Sequence, residues 1–262
     1  MPKIFLAAGH WENLFEKTGS KGIKVKGEKK FEEFDFNIGV VDKLHKELKK
    51  YKDFEIHQLE YDNDKEDMTL YERIQYINKT STSTTDLVIS VHANYSNKES
   101  VGGQWGFYAS DAGKRFLNIY NANCNNSPIP YTRTYKCKYD DWTEFGIVLR
   151  TKPPAVLLEH GFFSNKKERA LLRTDMYQSY CALAILRSIL TYYNISKKND
   201  DDKEIDKIAM MKKAINETTD YPDDWIESLV EAVEIANRQS NLGTFEKFKF
   251  LPDLILKMKG WI

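Results

Sequence analysis

Three short apolar runs in this chain each stop at a residue able to hold a metal ion or move a proton. They are Lys3-Ile-Phe-Leu-Ala-Ala-Gly-His10, Asp86-Leu-Val-Ile-Ser-Val-His92 and Ala155-Val-Leu-Leu-Glu159. Each reads as a buried strand, and a buried strand needs only apolar side chains. An ionisable end costs desolvation unless it meets a partner. Strand carboxyl ends are also where open α/β sheets bind their ligands. Two imidazoles and one or two carboxylates at one rim therefore predict a catalytic zinc site, with three protein ligands and an open position.

A fourth piece lies between the first two runs. From Phe31 to Tyr51 the pattern is helical, with Val40, Val41, Leu44 and Leu48 on one stripe. Extended backwards, the stripe reaches Asn37 and then Glu33, while Glu32 and Asp35 fall off it. Glu33 is thus predicted at the helix start on the inward face, where the positive helix terminus favours a carboxylate.

The set Ala8-Gly-His10, Glu33-x-x-x-Asn37, Ser90-Val-His92-Ala-Asn94 and Leu158-Glu159-x-Gly161-Phe162-x-Ser164-Asn165-x-x-Glu168 resembles the zinc-dependent N-acetylmuramoyl-L-alanine amidases of type 3. These are peptidoglycan hydrolases of bacteria and their phages. Leu149-Arg150-x-x-x-x-Pro154-Ala155 belongs to the same resemblance, which covers residues 1–195 in order and spacing. It implies that His10, Glu33 and His92 are zinc ligands and that Glu159 is the catalytic glutamate. The chain departs from the family pattern at Trp11-Glu12-Asn13-Leu14, where a Gly-rich stretch is usual, and at His160, which strand alternation turns away from Glu159.

The reaction so implied is hydrolysis of the amide between N-acetylmuramic acid and L-alanine, with Zn2+ as cofactor and Glu159 as the proton shuttle. Asn94, Arg150 and Trp142 are expected substrate contacts. A zinc peptidase cutting within the stem peptide would use the same metal chemistry, and a host autolysin of spore-forming cells would use the same reaction.

Composition narrows the partners. Lys plus Arg and Asp plus Glu each number 39, so net charge gives no argument for nucleic acid. No stretch is long enough to span a bilayer, so no membrane insertion is expected. The N-terminus lacks the pattern of a secretory signal and runs directly into the strand ending at His10. Synthesis in the cytoplasm with a substrate in the cell wall fits a phage endolysin that reaches peptidoglycan during host lysis, and equally a host enzyme freed when a mother cell lyses. Cys124, Cys137 and Cys181 are an odd number and read as free thiols.

Strands and helices alternate up to residue 195. The expected fold is α/β, a mostly parallel twisted sheet covered by helices on both faces. Phe54–Leu59 and Gly106–Ala109 read as further strands. Thr69–Lys79, Asp111–Asn121 and Arg169–Tyr193 read as helices, and 121–146 as a long aromatic loop. Residues 196–203 form a charge-rich linker. Residues 204–262 carry an all-helical pattern too small to bury much surface alone, predicting a cell-wall-binding or self-associating C-terminal domain.

Overall fold

The computed structural model describes residues 1–60, 68–124 and 127–196. The predicted linker and C-terminal helices lie outside the described residues, apart from the linker's first residue. In chain order the elements are β1 (Lys3–Ala8), α1 (Leu14–Thr18), β2 (Gly22–Ile23), β3 (Phe31–Glu32), α2 (Glu33–Leu48), β4 (Glu55–Gln58), α3 (Leu70–Thr80) and β5 (Leu87–Asn94). There follow β6 (Gln104–Tyr108), α4 (Asp111–Asn123), β7 (Tyr131–Lys136), α5 (Gly146–Leu149), β8 (Ala155–Phe162), α6 (Lys166–Leu172) and α7 (Asp175–Tyr192).

Among the described residues the main sheet runs β4-β1-β5-β8-β6-β7. The pairs are parallel except β6 with β8. The apolar runs are continuous because both faces are covered. Ile4, Leu6, Ile89, Val91, Val156 and Leu158 pack with α2, α4 and α7. Phe5, Ala7, Val88 and Leu157 alternate with them and pack on the other face against Ile77, Ile147 and Val148. The sheet and its two covers match the α/β architecture expected. No helix among the described residues is long and apolar enough to cross a membrane.

Two elements differ from the sequence reading. The segment expected as one loop contains β7, whose Tyr-Thr-Arg-Thr-Tyr-Lys is rich in β-branched and aromatic residues and forms the exposed edge of the sheet. Thr132, Arg133, Thr134 and Lys136 are all exposed, so the segment lacks the alternating apolar pattern that marks a half-buried strand. The long helix expected from Arg169 to Tyr193 is broken at Thr174. That residue is extended, and its side chain accepts from the Tyr177 amide to cap α7. The strong capping signal competes successfully with the apolar periodicity across the break.

A short antiparallel ribbon, β2 with β3, leads straight into α2, so Glu33 is the first helical residue. Glu28, just ahead of β3, receives Nε and Nη2 of the buried Arg169 at 2.9 Å each and Nη1 of Arg173 at 3.0 Å. The Arg169 hydrogen bonds, aided by Arg173, hold its carboxyl at about 2 against the opposing effect of burial. A depressed carboxyl contributes stability above its unfolded pKa and loses it as pH falls through the folded value. Glu28→Gln should therefore cost about 1–2 kcal/mol at pH 7, allowing for solvent screening. The deficit should shrink towards zero near pH 2, as read by thermal melting of both proteins across that range.

Candidate active site and metal centre

His92 and Glu159 are Cα partners in the parallel β5–β8 pair. Partners in a parallel ladder project from the same face, so the two side chains emerge side by side at the carboxyl end of the sheet. His10 comes to the same rim one turn beyond β1. Its backbone is left-handed, at φ 67°. Gly9 allows this approach, because a Cβ there would lie 2.1 Å from His92 Cε1. Glu33 arrives from the first turn of α2, its amide held by the Lys21 carbonyl at 3.0 Å.

These residues form one cluster. Glu33 Oε2 lies 3.1 Å from His10 Nε2, and Glu33 Oε1 lies 2.9 Å from His92 Nδ1. One donor atom from each of His10, Glu33 and His92 lies within 4.8 Å of the others. His92 Nε2 faces Ser90 Oγ at 3.1 Å. With a metal ion bound, a proton on Nε2 directed at Ser90 would leave the Nδ1 lone pair for the ion, the arrangement by which an outer partner orients a metal-binding imidazole. Glu32 is a different case, since its carboxylate is paired with Lys30 at 2.5 Å.

The electrostatics suit a cation. Burial alone would raise the Glu33 carboxyl, but the hydrogen bonds from His10 and His92 win and hold it well below the usual range. Burial lowers His92 to about 4 despite Glu33, so the ring is neutral at pH 7 and free to donate a lone pair. Glu159 is raised well above an ordinary carboxyl, first by burial and second by the Glu33 charge, with Lys21 opposing. Its Oε2 is buried and has no hydrogen-bond partner among the described residues. A buried orphan carboxylate beside two imidazoles and a second carboxylate is costly by itself. A divalent cation among those donors removes that cost, and the N,N,O donor set suits zinc.

The cluster opens into a cleft of about 920 Å³. Its walls include Trp11, Phe15, Lys21, Asn94, Tyr95 and Phe145. Trp11 comes from the stretch that departs from the family's Gly-rich pattern, which folds here as a turn leading into the short helix α1, and Phe15 follows it in that helix. Trp142 and Arg150 are not among the lining residues. Trp142 packs edge-on against Tyr135 and Phe107, and Arg150 pairs with Glu144 at 2.6 Å. His160 turns to the opposite side of the sheet, where its Nδ1 lies 3.0 Å from the Tyr120 hydroxyl. The three cysteines are free and buried.

Sequence reasoning missed Arg73 as a site component. It is buried and donates to the carbonyls of Ala8 and His10. The signal was present. Arg73 precedes Ile77 by four positions and adjoins Ile74, so it falls on the inward face of α3 that those two isoleucines mark.

A doubly covered α/β sheet thus gathers at one rim a His–Glu–His group that could hold a metal ion and a buried carboxyl beside it. Residues 4–191 match the protein-family model described as N-acetylmuramoyl-L-alanine amidase, and the chain belongs to that family. A curated relative, the protein YqiI of Bacillus subtilis (strain 168), is 28% identical over 130 residues, 48% of this chain. The match spans 59% of that relative's length. Among solved structures, the catalytic domain of CwlV, an N-acetylmuramoyl-L-alanine amidase from Bacillus (Paenibacillus) polymyxa var. colistinus, is 24% identical. It covers 75% of this chain and 100% of its own with a TM-score of 0.62. The catalytic domain of the CD27L endolysin targeting Clostridia difficile is 19% identical, covering 76% and 100% with a TM-score of 0.54. At these identities the two likenesses establish a shared fold.

Proposed function

We propose that the protein is a zinc-dependent peptidoglycan amidase that hydrolyses the bond between the lactyl carbonyl of N-acetylmuramic acid and L-alanine. The observation that carries this reading is the His10–Glu33–His92 cluster beside the orphaned Glu159, set in a fold of the amidase family. His10, Glu33 and His92 would hold the ion. Bound zinc supplies Lewis acidity that polarises the amide carbonyl and makes water a nucleophile near neutral pH.

The remaining work falls to the chain. Glu33 holds both imidazoles by its two oxygens. Ser90 fixes the His92 tautomer. Glu159 Oε2 accepts the proton of the attacking water and passes it to the departing L-alanine nitrogen, which leaves as an amine only when protonated. Burial raises the proton affinity of Glu159 and so favours the transfer onto it. Asn94, on the cleft wall, orients the bound substrate. Trp142 and Arg150, outside that wall, would meet longer glycan or peptide segments. Digestion of purified walls followed by mass spectrometry tests the reaction. Intact stem peptides with a free L-alanine amine are expected, whereas peptides cut internally would identify an endopeptidase instead.

We further propose that the enzyme acts as a phage endolysin in host lysis, supported by the shared fold with the CD27L endolysin. Expression inside a susceptible host should lyse cells only when a pore-forming membrane protein is co-expressed. The 204–262 segment is proposed to bind walls or to self-associate. The family match ends at residue 191, so truncation after residue 200 leaves the matched portion whole. The fragment is expected to keep cleaving soluble muropeptides and to lose activity on intact cells, because wall attachment raises local substrate concentration. Equal loss in both assays would give the tail a folding role instead.

A further inference from the structure

Among the described residues, the turn carrying His10 has no strand beside it on the β4 side. β4 pairs with β1 only as far as Leu6↔Gln58, and Leu59 N reaches Leu6 O at 3.0 Å. Beyond Leu6, the backbone groups of Ala8 facing that edge have no ladder partner among the described residues. An ion pair takes the strand's place. The Ala8 amide donates to Glu60 Oε1 at 2.9 Å, and Arg73 Nη1 donates to the Ala8 carbonyl. Arg73 Nη1 also lies 3.1 Å from Glu60 Oε1. The same guanidinium continues along the chain, its Nη2 donating to the His10 carbonyl at 2.8 Å. From the other side, Asn37 Nδ2 donates to the Gly9 carbonyl at 3.0 Å. Three consecutive carbonyls are thus held by side chains of α3 and α2, and among them His10 keeps its left-handed backbone at φ 67°. Left-handed backbone is unfavourable for a residue with a Cβ and persists only where its surroundings over-determine it.

We propose that Arg73, held by Glu60, is a positioning residue for the metal ligand His10. The planar fork of the guanidinium spans the carbonyls of residues 8 and 10, which fixes the turn between them and so the direction of the His10 ring. The proposal rests on the reading of His10 as a ligand. A lysine cannot reproduce the function, because one ammonium lacks the rigid fork that satisfies two carbonyls and a carboxylate in one plane.

The test is zinc affinity, measured on the full chain with a competing weak-affinity zinc indicator, for Arg73→Lys, Glu60→Gln, His10→Ala and the Arg73→Lys/His10→Ala double variant. Thermal melting of the metal-free proteins runs alongside. Arg73→Lys is expected to weaken zinc binding about 10- to 100-fold, the usual range for loss of an outer partner. In the His10→Ala background the same change should add little, since the ring it positions is gone. Glu60→Gln retains a group able to accept from Ala8 but loses the charge that holds Arg73. It should weaken binding in the same direction by less, and it carries the test if Arg73→Lys does not fold. Wild-type zinc affinity in the folded variants, with only a lower melting temperature, would overturn the proposal and leave Arg73 a structural residue. So would an equal fold-loss with and without His10. Unchanged zinc affinity in His10→Ala alone would instead remove the ligand assignment itself, a result separable from the others.

Discussion

Glu159→Gln is expected to lower kcat on soluble muropeptides about 10²- to 10⁴-fold, the range typical for loss of a general acid–base group. The metal content and the fold should be unchanged. Gln is nearly isosteric but cannot take a proton from water, and Glu159 is not one of the three clustered donors. A second readout separates this from damage to the site. Glu159 is raised in the folded protein by burial and by Glu33. A raised carboxyl destabilises the fold at pH values above its unfolded pKa, because the folded state binds the proton more tightly there. With the metal removed, Glu159→Gln should therefore melt higher than wild type at pH 7 and converge with it below about pH 4. Full turnover in a metal-loaded Glu159→Gln protein would remove Glu159 from the role of base.

How far the site is legible in the sequence follows from the physics of each element. β1, β5 and β8 are legible because a strand covered on both faces is apolar at nearly every position, so His10, His92 and Glu159 stand out at their ends. The direction of His160 follows from strand alternation alone. Glu33 is legible because α2 has one clear apolar stripe and the site lies along its extension. What brings Glu33 between the two imidazoles is not local. It depends on the Lys21 carbonyl capping its amide and on strand register setting His92 beside Glu159. Arg73 is not legible because no residue near it in sequence accounts for a charge on the inward face of α3. Its partners, Glu60 and the carbonyls of Met68, Ala8 and His10, come from separate parts of the chain or from a turn that only the fold sets beside α3. Trp142 shows the converse. An exposed aromatic in a polar stretch suggests a substrate contact, but its neighbours Tyr135 and Phe107 belong to strands at the far edge of the sheet from β1.

Loss of either imidazole should abolish tight zinc binding, with chelators inactivating the wild type and zinc restoring it. A cation left with two protein ligands competes poorly with water. The choice of variant matters, because Glu33 is buried and takes its two short contacts from the two rings. His92→Ala leaves Glu33 Oε1 without its imidazole, which costs about 1–3 kcal/mol in addition to any effect on metal. His92→Asn keeps a donor near that oxygen and supplies only a weak ligand, so it should retain most of the stability and still lose the metal. His10→Ala retains the unfavourable left-handed backbone without the ring, and His10→Gly relieves it, so the glycine variant should be the more stable of the two while binding zinc equally poorly. Glu33→Gln should lose the metal as well. The neighbouring Glu32 cannot replace it, since its carboxylate is buried and paired with Lys30. Metal analysis of the folded, purified variants decides the assignment. One equivalent of zinc in His92→Asn or His10→Gly would exclude that residue as a ligand, and zinc retained by Glu33→Gln would reduce Glu33 to an orienting group for the two histidines.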